Sequence, residues 1–417
     1  MAASDLYPPL QEEVARLASS PQVRAAFDRF RSQESQFALW QMEATRVAAP
    51  PFGEAARAEW LADRFRELGL TDVQVDAVGN VLGIRPGYGS RFVALSAHID
   101  TVFPATTPLN IRQQGSRLYG PGVSDNGAGI AAMLAVASVC NSTRISHALP
   151  FLFIGNVGEE GEGDLRGMRH VFSTQPWSDL IAYSVIVDGA GADTVVSEAL
   201  GSRRFEVIVR GPGGHSWSDF GTPSPILALA RAIEIFSQTP VPASPKTTFN
   251  VGVIRGGTSV NSIPESASMR VDLRSTSMAE IDRLEEALRQ ALQQALTVEN
   301  EAAAQPKTRR PPLVLSQVVQ SEVVEIGNRP AGELAEDARI LKVLRAVDAQ
   351  LGNTAQVQRA STDANIPLSL GREAIAIGGG GSGGGAHTLQ EWFDCNGREL
   401  GLRRILLTML TLSGVGE

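Results

Sequence analysis

Two adjacent carboxylates, Glu159 and Glu160, close the stretch Phe151 to Gly161, FLFIGNVGEEG, directly after an apolar run of strand character. Like charges side by side at the end of a buried strand are costly unless a cation or a proton compensates them. A division of labour resolves the conflict: one carboxylate binds a metal while its neighbour handles the proton of a metal-bound water. An isolated Glu-Glu pair is more often a solvated acidic turn, but this pair keeps company. His98 and Asp100 follow the apolar run Arg91 to Ala97, and Asp188 follows Ile181 to Val187. His387 follows the run Glu373 to Ile377 and a glycine loop, and Asp125 stands just before a small-residue helix. In open α/β sheets the carboxyl ends of strands converge on one crevice, where ligands bind. Two histidines and several carboxylates without cysteine are the donors of a hydrolytic zinc site or a paired-metal site. A paired site needs one carboxylate shared between ions ~3.5–4 Å apart, with about two terminal ligands on each.

The elements that must position these groups can be read in order. Helical spacing runs from about Gln11 to Val47 and again over Glu54 to Leu68, which stops at Gly69. Strands are predicted over Val73–Val78 and Val81–Ile84 on either side of Gly79-Asn80, followed by the buried-type strand ending at Ala97. Ala128 to Val139 reads as a helix and Ile181 to Val187 as a further buried strand. After Glu198 the character changes. Arg203–Arg210, Pro223–Phe236, Thr247–Ile254, Ala267–Leu273, Met278–Leu296 and Leu313–Ile326 alternate as β-α-β-β-α-β, the pattern of a ferredoxin-like module. Helix Ala335–Leu351, strand Glu373–Ile377 and helix Arg398–Leu412 then resume the first pattern. The expected fold is α/β: a catalytic domain with a mixed sheet flanked by helices, residues 1–200 and 328–417. A ferredoxin-like α+β lid or dimerisation domain, residues 201–327, is inserted into it.

Bulk properties exclude several classes. The 417 residues are 43% hydrophobic and 20% charged, ordinary globular composition. A net charge of -8, from 37 Lys+Arg against 45 Asp+Glu, argues against a nucleic-acid-binding surface. Cys140 and Cys395 are too few for a disulfide framework and read as buried small hydrophobes. No apolar stretch approaches ~18 uncharged residues, so no membrane span is expected, and the N-terminus lacks a signal-peptide pattern. The expected location is the cytoplasm.

The motifs resemble those of the zinc aminoacylase/carboxypeptidase family that includes peptidase T, carnosinase-type dipeptidases and glutamate carboxypeptidase. The resemblance covers the chain from about Glu34 onward. It rests on Ser96-Ala-His98-Ile-Asp100-Thr101, on Gly120-Pro-Gly-Val-Ser-Asp125-Asn-Gly-Ala-Gly129, on Glu159-Glu160, on Asp188 and on Ala386-His387-Thr-Leu-Gln-Glu391-Trp392. It implies two Zn2+ per chain, with Co2+ or Mn2+ as alternatives. His98 and Asp188 would hold one ion, Glu160 and His387 the other, and Asp125 would bridge them. Glu159 would be the general base and acid acting on a metal-bridging hydroxide. Asp100 would accept from the other ring nitrogen of His98 and fix its tautomer. Pro121 and Gly127 stand where many relatives carry Arg and Lys, a departure that leans towards the peptidase T-like branch.

From the inserted module the resemblance adds three residues: His215 to polarise the scissile carbonyl, often from a partner subunit, and Asn261 and Arg274 to bind the substrate's polar backbone or carboxylate. His147 and His170 match no motif and read as structural or surface residues. Gly380-Gly-Ser382-Gly-Gly384 matches a nucleophile elbow and Gly378 to Gly383 a dinucleotide loop. A run made almost wholly of glycine makes both matches cheap. The glycines read instead as backbone that approaches a substrate and donates N–H groups to it. The expected function is a di-zinc metallopeptidase acting on short peptides, of aminopeptidase, dipeptidase or tripeptidase type, and a homodimer through the lid. The alternative is an N-acyl-amino-acid amidohydrolase using the same metal site.

Overall fold

Apolar runs without polar alternation must be covered on both faces. Phe92–His98 and Phe151–Asn156 are accordingly buried at every residue, and Ile181–Val187 and Glu373–Ile377 along most of their length. A computed structural model, which describes residues 8–304 and 318–414, brings these strands into one nine-stranded mixed sheet. Its order is Thr71–Val75, Val81–Arg85, Phe151–Asn156, Phe92–His98, Ile181–Val187, Glu373–Ile377, Thr194–Ala199 and Gly332–Glu333. Gln356–Ala360 pairs beside Thr194–Ala199. The four strands from Phe151–Asn156 to Glu373–Ile377 run parallel, so their carboxyl ends open on one side. The chain thus returns after residue 332 to the sheet it left at residue 199.

Helices cover both faces of this sheet. On one, Gly127–Ser142 and Arg398–Ser413 supply Ile130, Met133, Leu134, Ile405, Leu406 and Met409 to the largest core cluster. On the other, Arg166–Ser173 packs Met168, Val171 and Phe172 against Leu82, Ala94, Leu152 and Ile154. Two unions are tied by polar groups as well. Arg404, fully buried, donates Nε and Nη2 to Asp348 at 2.7 and 2.9 Å and Nη1 to the Thr194 carbonyl at 3.0 Å, joining two helices and a strand.

Three features differ from expectation. The first strand spans Thr71–Val75 rather than Val73–Val78, because the Asp76 carboxylate accepts from the N–H groups of Val78, Gly79 and Asn80 and turns the chain early. A four-stranded sheet of short strands, in the order Ser382–Gly384, Trp392–Asp394, Arg117–Tyr119 and Arg112–Gln114, was not anticipated. Ser382 opens one of its strands, not a strand-to-helix elbow. Gly380, at φ +84°, backs onto the Arg398 backbone: a Cβ there would lie 2.3 Å from the Arg398 carbonyl oxygen. At that position glycine serves close packing within the protein.

Contacts divide the chain into two units, Met1–Ala199 with Gly332–Glu417 and Leu200–Ala331. The second unit is an antiparallel sheet in the order Thr247–Gly256, Ser266–Ser275, Gly201–Arg210 and Gln320–Arg329. Helices Pro225–Ser237 and Met278–Ala304 bury Leu229, Phe236, Leu284 and Leu288 against Phe205, Val207, Met269 and Leu273. This is the β-α-β-β-α-β arrangement of a ferredoxin-like module. Its last strand is described from Gln320; the start expected at Leu313 lies outside the described residues.

Candidate metal centre

His98 is the last residue of its strand, and its ring is 1% exposed. Nε2 lies 3.1 Å from Oδ1 of Asp125 and 3.8 Å from Oδ1 of Asp188. Nδ1 faces Asp100, 3.2 Å from its carbonyl oxygen and 3.5 Å from its carboxylate. His387 Nε2 lies 3.2 Å from Asp125 Oδ2 and 3.1 Å from Glu160 Oε1. Each oxygen of Asp125 therefore addresses a different histidine. Two groups result, His98-Asp125-Asp188 and Asp125-Glu160-His387, in each of which the ligand atoms lie within 4.8 Å of one another.

The charges in this cluster are strongly displaced. Burial opposes a charged His98 ring, but the carboxylates of Asp100, Asp125 and Asp188 outweigh it and raise the ring well above the usual histidine range. Hydrogen bonding to Asp125, then the field of Glu160, pushes His387 up to about 9. Burial pushes Glu160 up to about 7, with Asp125 and Asp100 adding repulsion. Burial would likewise raise Asp125, yet the two histidines hold it far below the usual carboxylate range. Three carboxylates and two imidazoles, with no lysine or arginine among them, demand positive charge at two points. That donor set fits a pair of divalent ions bound through nitrogen and oxygen.

Behind the ligands, three polar side chains each join two ligand-bearing loops. Asp100, fully buried, accepts from the N–H groups of Glu159 at 3.0 Å and Glu160 at 2.8 Å while facing His98. Asn126 caps helix Gly127–Ser142 by accepting from Gly129, donates to the Val187 carbonyl and accepts from Gly189, so it grips both neighbours of Asp188. Glu391 accepts from the N–H groups of Gly122, Ser124 and Asp125, each at 2.7 Å. A fourth buried group, Asp363, accepts from Asn156 at 2.6 Å, and burial pushes it up to about 7. Asn156 lies opposite His98 in the sheet register.

Asn126, Asn156, Asp363 and Glu391 have no role among those expected from the sequence. The strand before Asp363, Gln356–Ala360, is exposed at four of its five residues and shows no apolar run. The pattern of a polar group after a buried strand therefore could not flag it. Glu391 stands four residues after His387, and that spacing is its signal in the sequence.

Glu159 is 6% exposed beside Glu160. A cavity of about 640 Å³ adjoins the cluster, lined by Asp125, Asp188, Asp193, Ser382, Gly383 and Gly384 among others, with no basic residue among the described residues of its wall. The three remaining expected site residues belong to the second unit. His215 and Asn261 lie together, because Gly214–His215 pairs with Ser262–Ile263 and the Ser216 N–H donates to the Asn261 carbonyl at 3.0 Å. Arg274 pairs with Ser202 at the other end of its strand and donates to Asp272 at 2.6 Å. The second unit does not gather all three in one place.

Comparison with known proteins adds a family. The chain is 31% identical over 248 residues to a "Probable carboxypeptidase" of Aspergillus clavatus, covering 53% of this chain and 54% of that one. It is 26% identical over 251 residues to the succinyl-diaminopimelate desuccinylase of Nitrosococcus oceani, covering 56% and 66%. The chain spans about half the length of the carboxypeptidase relatives it matches. Its fold is similar to that of aminopeptidase PepT from Bacillus cereus, with a TM-score of 0.70 at 20% identity over 91% of this chain and 99% of that one. It is also similar to the dipeptidase Dug1p of Saccharomyces cerevisiae, with a TM-score of 0.71 at 13% identity over 94% and 99%. The model of peptidase family M20/M25/M40 matches residues 94–410, a stretch that takes in every residue of both ligand groups, and to that family this chain belongs.

Proposed function

We propose that this chain is a di-zinc hydrolase of amide bonds in short peptides, of aminopeptidase, dipeptidase or tripeptidase type. The observation that carries the reading is Asp125, with one oxygen turned to His98 and the other to His387. His98 and Asp188 would hold one ion, Glu160 and His387 the other, and Asp125 both. Such ions supply Lewis acidity at the scissile carbonyl and a nucleophile at neutral pH. Glu159 takes the proton of the attacking water and passes it to the amide nitrogen as the C–N bond breaks. Asp100 orients the His98 ring and holds the backbone of both glutamates.

The adjoining cavity supports a peptide over a more anionic substrate. Among the described residues its wall offers Asp193 and no basic side chain, which suits an ammonium group. The second reading, an N-acyl-amino-acid amidohydrolase, is favoured by the desuccinylase relative. A panel of di- and tripeptides against N-acetyl and N-succinyl amino acids, with zinc, cobalt or manganese added, tests both. Peptides are expected to turn over at least tenfold faster. Faster turnover of the acylated amino acids overturns the peptidase reading, and chelator-resistant turnover overturns the metal site.

The second unit is proposed to supply a dimer interface. Its edge strand Thr247–Gly256 exposes Val253 and Ile254, and an unpaired edge can join a second copy. Ser266 follows the Ser262–Ile263 strand that pairs with Gly214–His215, and from Ser266 to Arg274 the strand runs on for roughly 26 Å at 3.3 Å per residue. That is too far for one short peptide to touch both within a single second unit. His215 acting on the partner's substrate is the arrangement this separation supports.

A further inference from the structure

Glu391 is fully buried on the segment between His387 and strand Trp392–Asp394. Its Oε2 accepts from Gly122, and its Oε1 accepts from both Ser124 and Asp125. Its own carbonyl accepts from Gly120 at 2.9 Å. The opposite side of the same loop is held by Gln41, which donates Nε2 to the Val123 carbonyl and accepts from Arg398 at 2.6 Å. The backbone that carries Asp125 is therefore clamped on its N–H side by one carboxylate and on its carbonyl side by one amide. Only a carboxylate offers enough acceptor sites, and none but acceptors, to three converging N–H groups.

The segment on which Glu391 sits is itself tightly turned. Thr388 donates its N–H to the Gly385 carbonyl and Glu391 to the Thr388 carbonyl. His387 lies within this turn, at φ +64°. One buried carboxylate thus spans from the loop of the ligand common to both groups to the loop of a ligand in only one of them.

We propose that Glu391 is a positioning residue that fixes Asp125 and so sets the affinity of both metal positions together, rather than that of the His387 position alone. This rests on the reading that each ligand group holds one ion. Replacing the carboxylate by an amide leaves one acceptor oxygen and turns an N–H2 donor towards a backbone N–H. The loop then relaxes, and both oxygens of Asp125 lose their alignment.

The test compares metal-free wild type, Glu391→Gln and His387→Ala in titrations with Co2+, followed by visible absorption, and with Zn2+ against a chromophoric chelator. Glu391→Gln is expected to weaken both binding steps by about 10–100-fold, as loss of an outer partner of a ligand does, and to change the Co2+ spectrum of both. His387→Ala is expected to weaken one step. Loss confined to one step in Glu391→Gln, or wild-type affinity at both, overturns the proposal. Should Glu391→Gln lose its native near-ultraviolet circular dichroism, Glu391→Asp keeps the charge but withdraws it by one methylene. Weakening of both steps in a folded Glu391→Asp supports the proposal, and wild-type affinity at both overturns it. A wild-type chain that binds fewer than two ions overturns the reading of the site and this inference with it, before any variant is compared.

Discussion

At residue 159 a change of one atom separates binding from proton transfer. Glu159→Gln should keep both ions, since neither ligand group includes Glu159, yet lose a factor of about 10²–10⁴ in turnover with general-base catalysis. Metal analysis and kinetics on the same preparation decide this, and near-normal turnover in a metal-replete variant would mean that the two glutamates are misassigned. A second residue reports on stability. His147 stacks on Phe151 at 3.9 Å between ring centroids and donates Nδ1–H to the Leu149 carbonyl at 2.7 Å. Burial, helped by the charge of Arg85, pushes its pKa down to about 4. The unfolded histidine titrates near 6.5, so between about pH 6.5 and 4 the unfolded chain takes up a proton that the folded chain refuses. The stabilisation is complete above that window and falls as pH drops through it, by up to about 3 kcal/mol. Urea midpoints at pH 7 and pH 5 should therefore differ less in His147→Gln than in wild type; equal differences would refute the assignment.

At the scale of elements, the four parallel central strands announced themselves and the three-residue strands did not. Phe92–His98 and Phe151–Asn156 are covered on both faces, so their sequences are uninterrupted apolar runs, and the chemistry-bearing residues follow at once. The expected ligands His98, Asp125, Glu160, Asp188 and His387 fall into the two groups described above. Asp100 was legible beside His98, but Asn126 and Glu391 work through hydrogen bonds to backbone far away in sequence. Glu391 lies 266 positions from the Asp125 N–H it receives, and no periodicity encodes such a distance. The sheet formed by Arg112–Gln114, Arg117–Tyr119, Ser382–Gly384 and Trp392–Asp394 has strands of three residues, too short to show a period of two. The Arg404–Asp348 pair that joins the last two long helices is another feature of tertiary context alone. Arg404→Ala leaves Asp348 buried without its cation and should cost about 3–5 kcal/mol in denaturant unfolding. A loss under about 1 kcal/mol, the range of a surface pair, would place the pair outside the stability-determining core.

For the whole molecule, the proposed dimer makes a prediction that no single chain can satisfy. His215→Ala and Glu159→Gln homodimers should each be nearly inactive. A mixed dimer would hold one site with an intact Glu159 and the partner's His215. Random pairing of equal amounts should restore up to about a quarter of wild-type activity. No recovery despite verified subunit exchange would place His215 in its own chain's site or outside catalysis. The order of strands has a further consequence, for synthesis. Ile181–Val187 and Thr194–Ala199 are neighbours in sequence, yet Glu373–Ile377 lies between them in the sheet. The ribosome must add about 190 residues after Val187 before that gap can close, on the order of 10–40 s at ~5–20 residues per second. During that interval the nascent chain carries an open, apolar strand edge in the middle of its future sheet, while the second unit, Leu200–Ala331, emerges complete. Its critical hazard is therefore a waiting time, and a growing chain stalled before Ile377 would aggregate through the edge that the finished protein conceals.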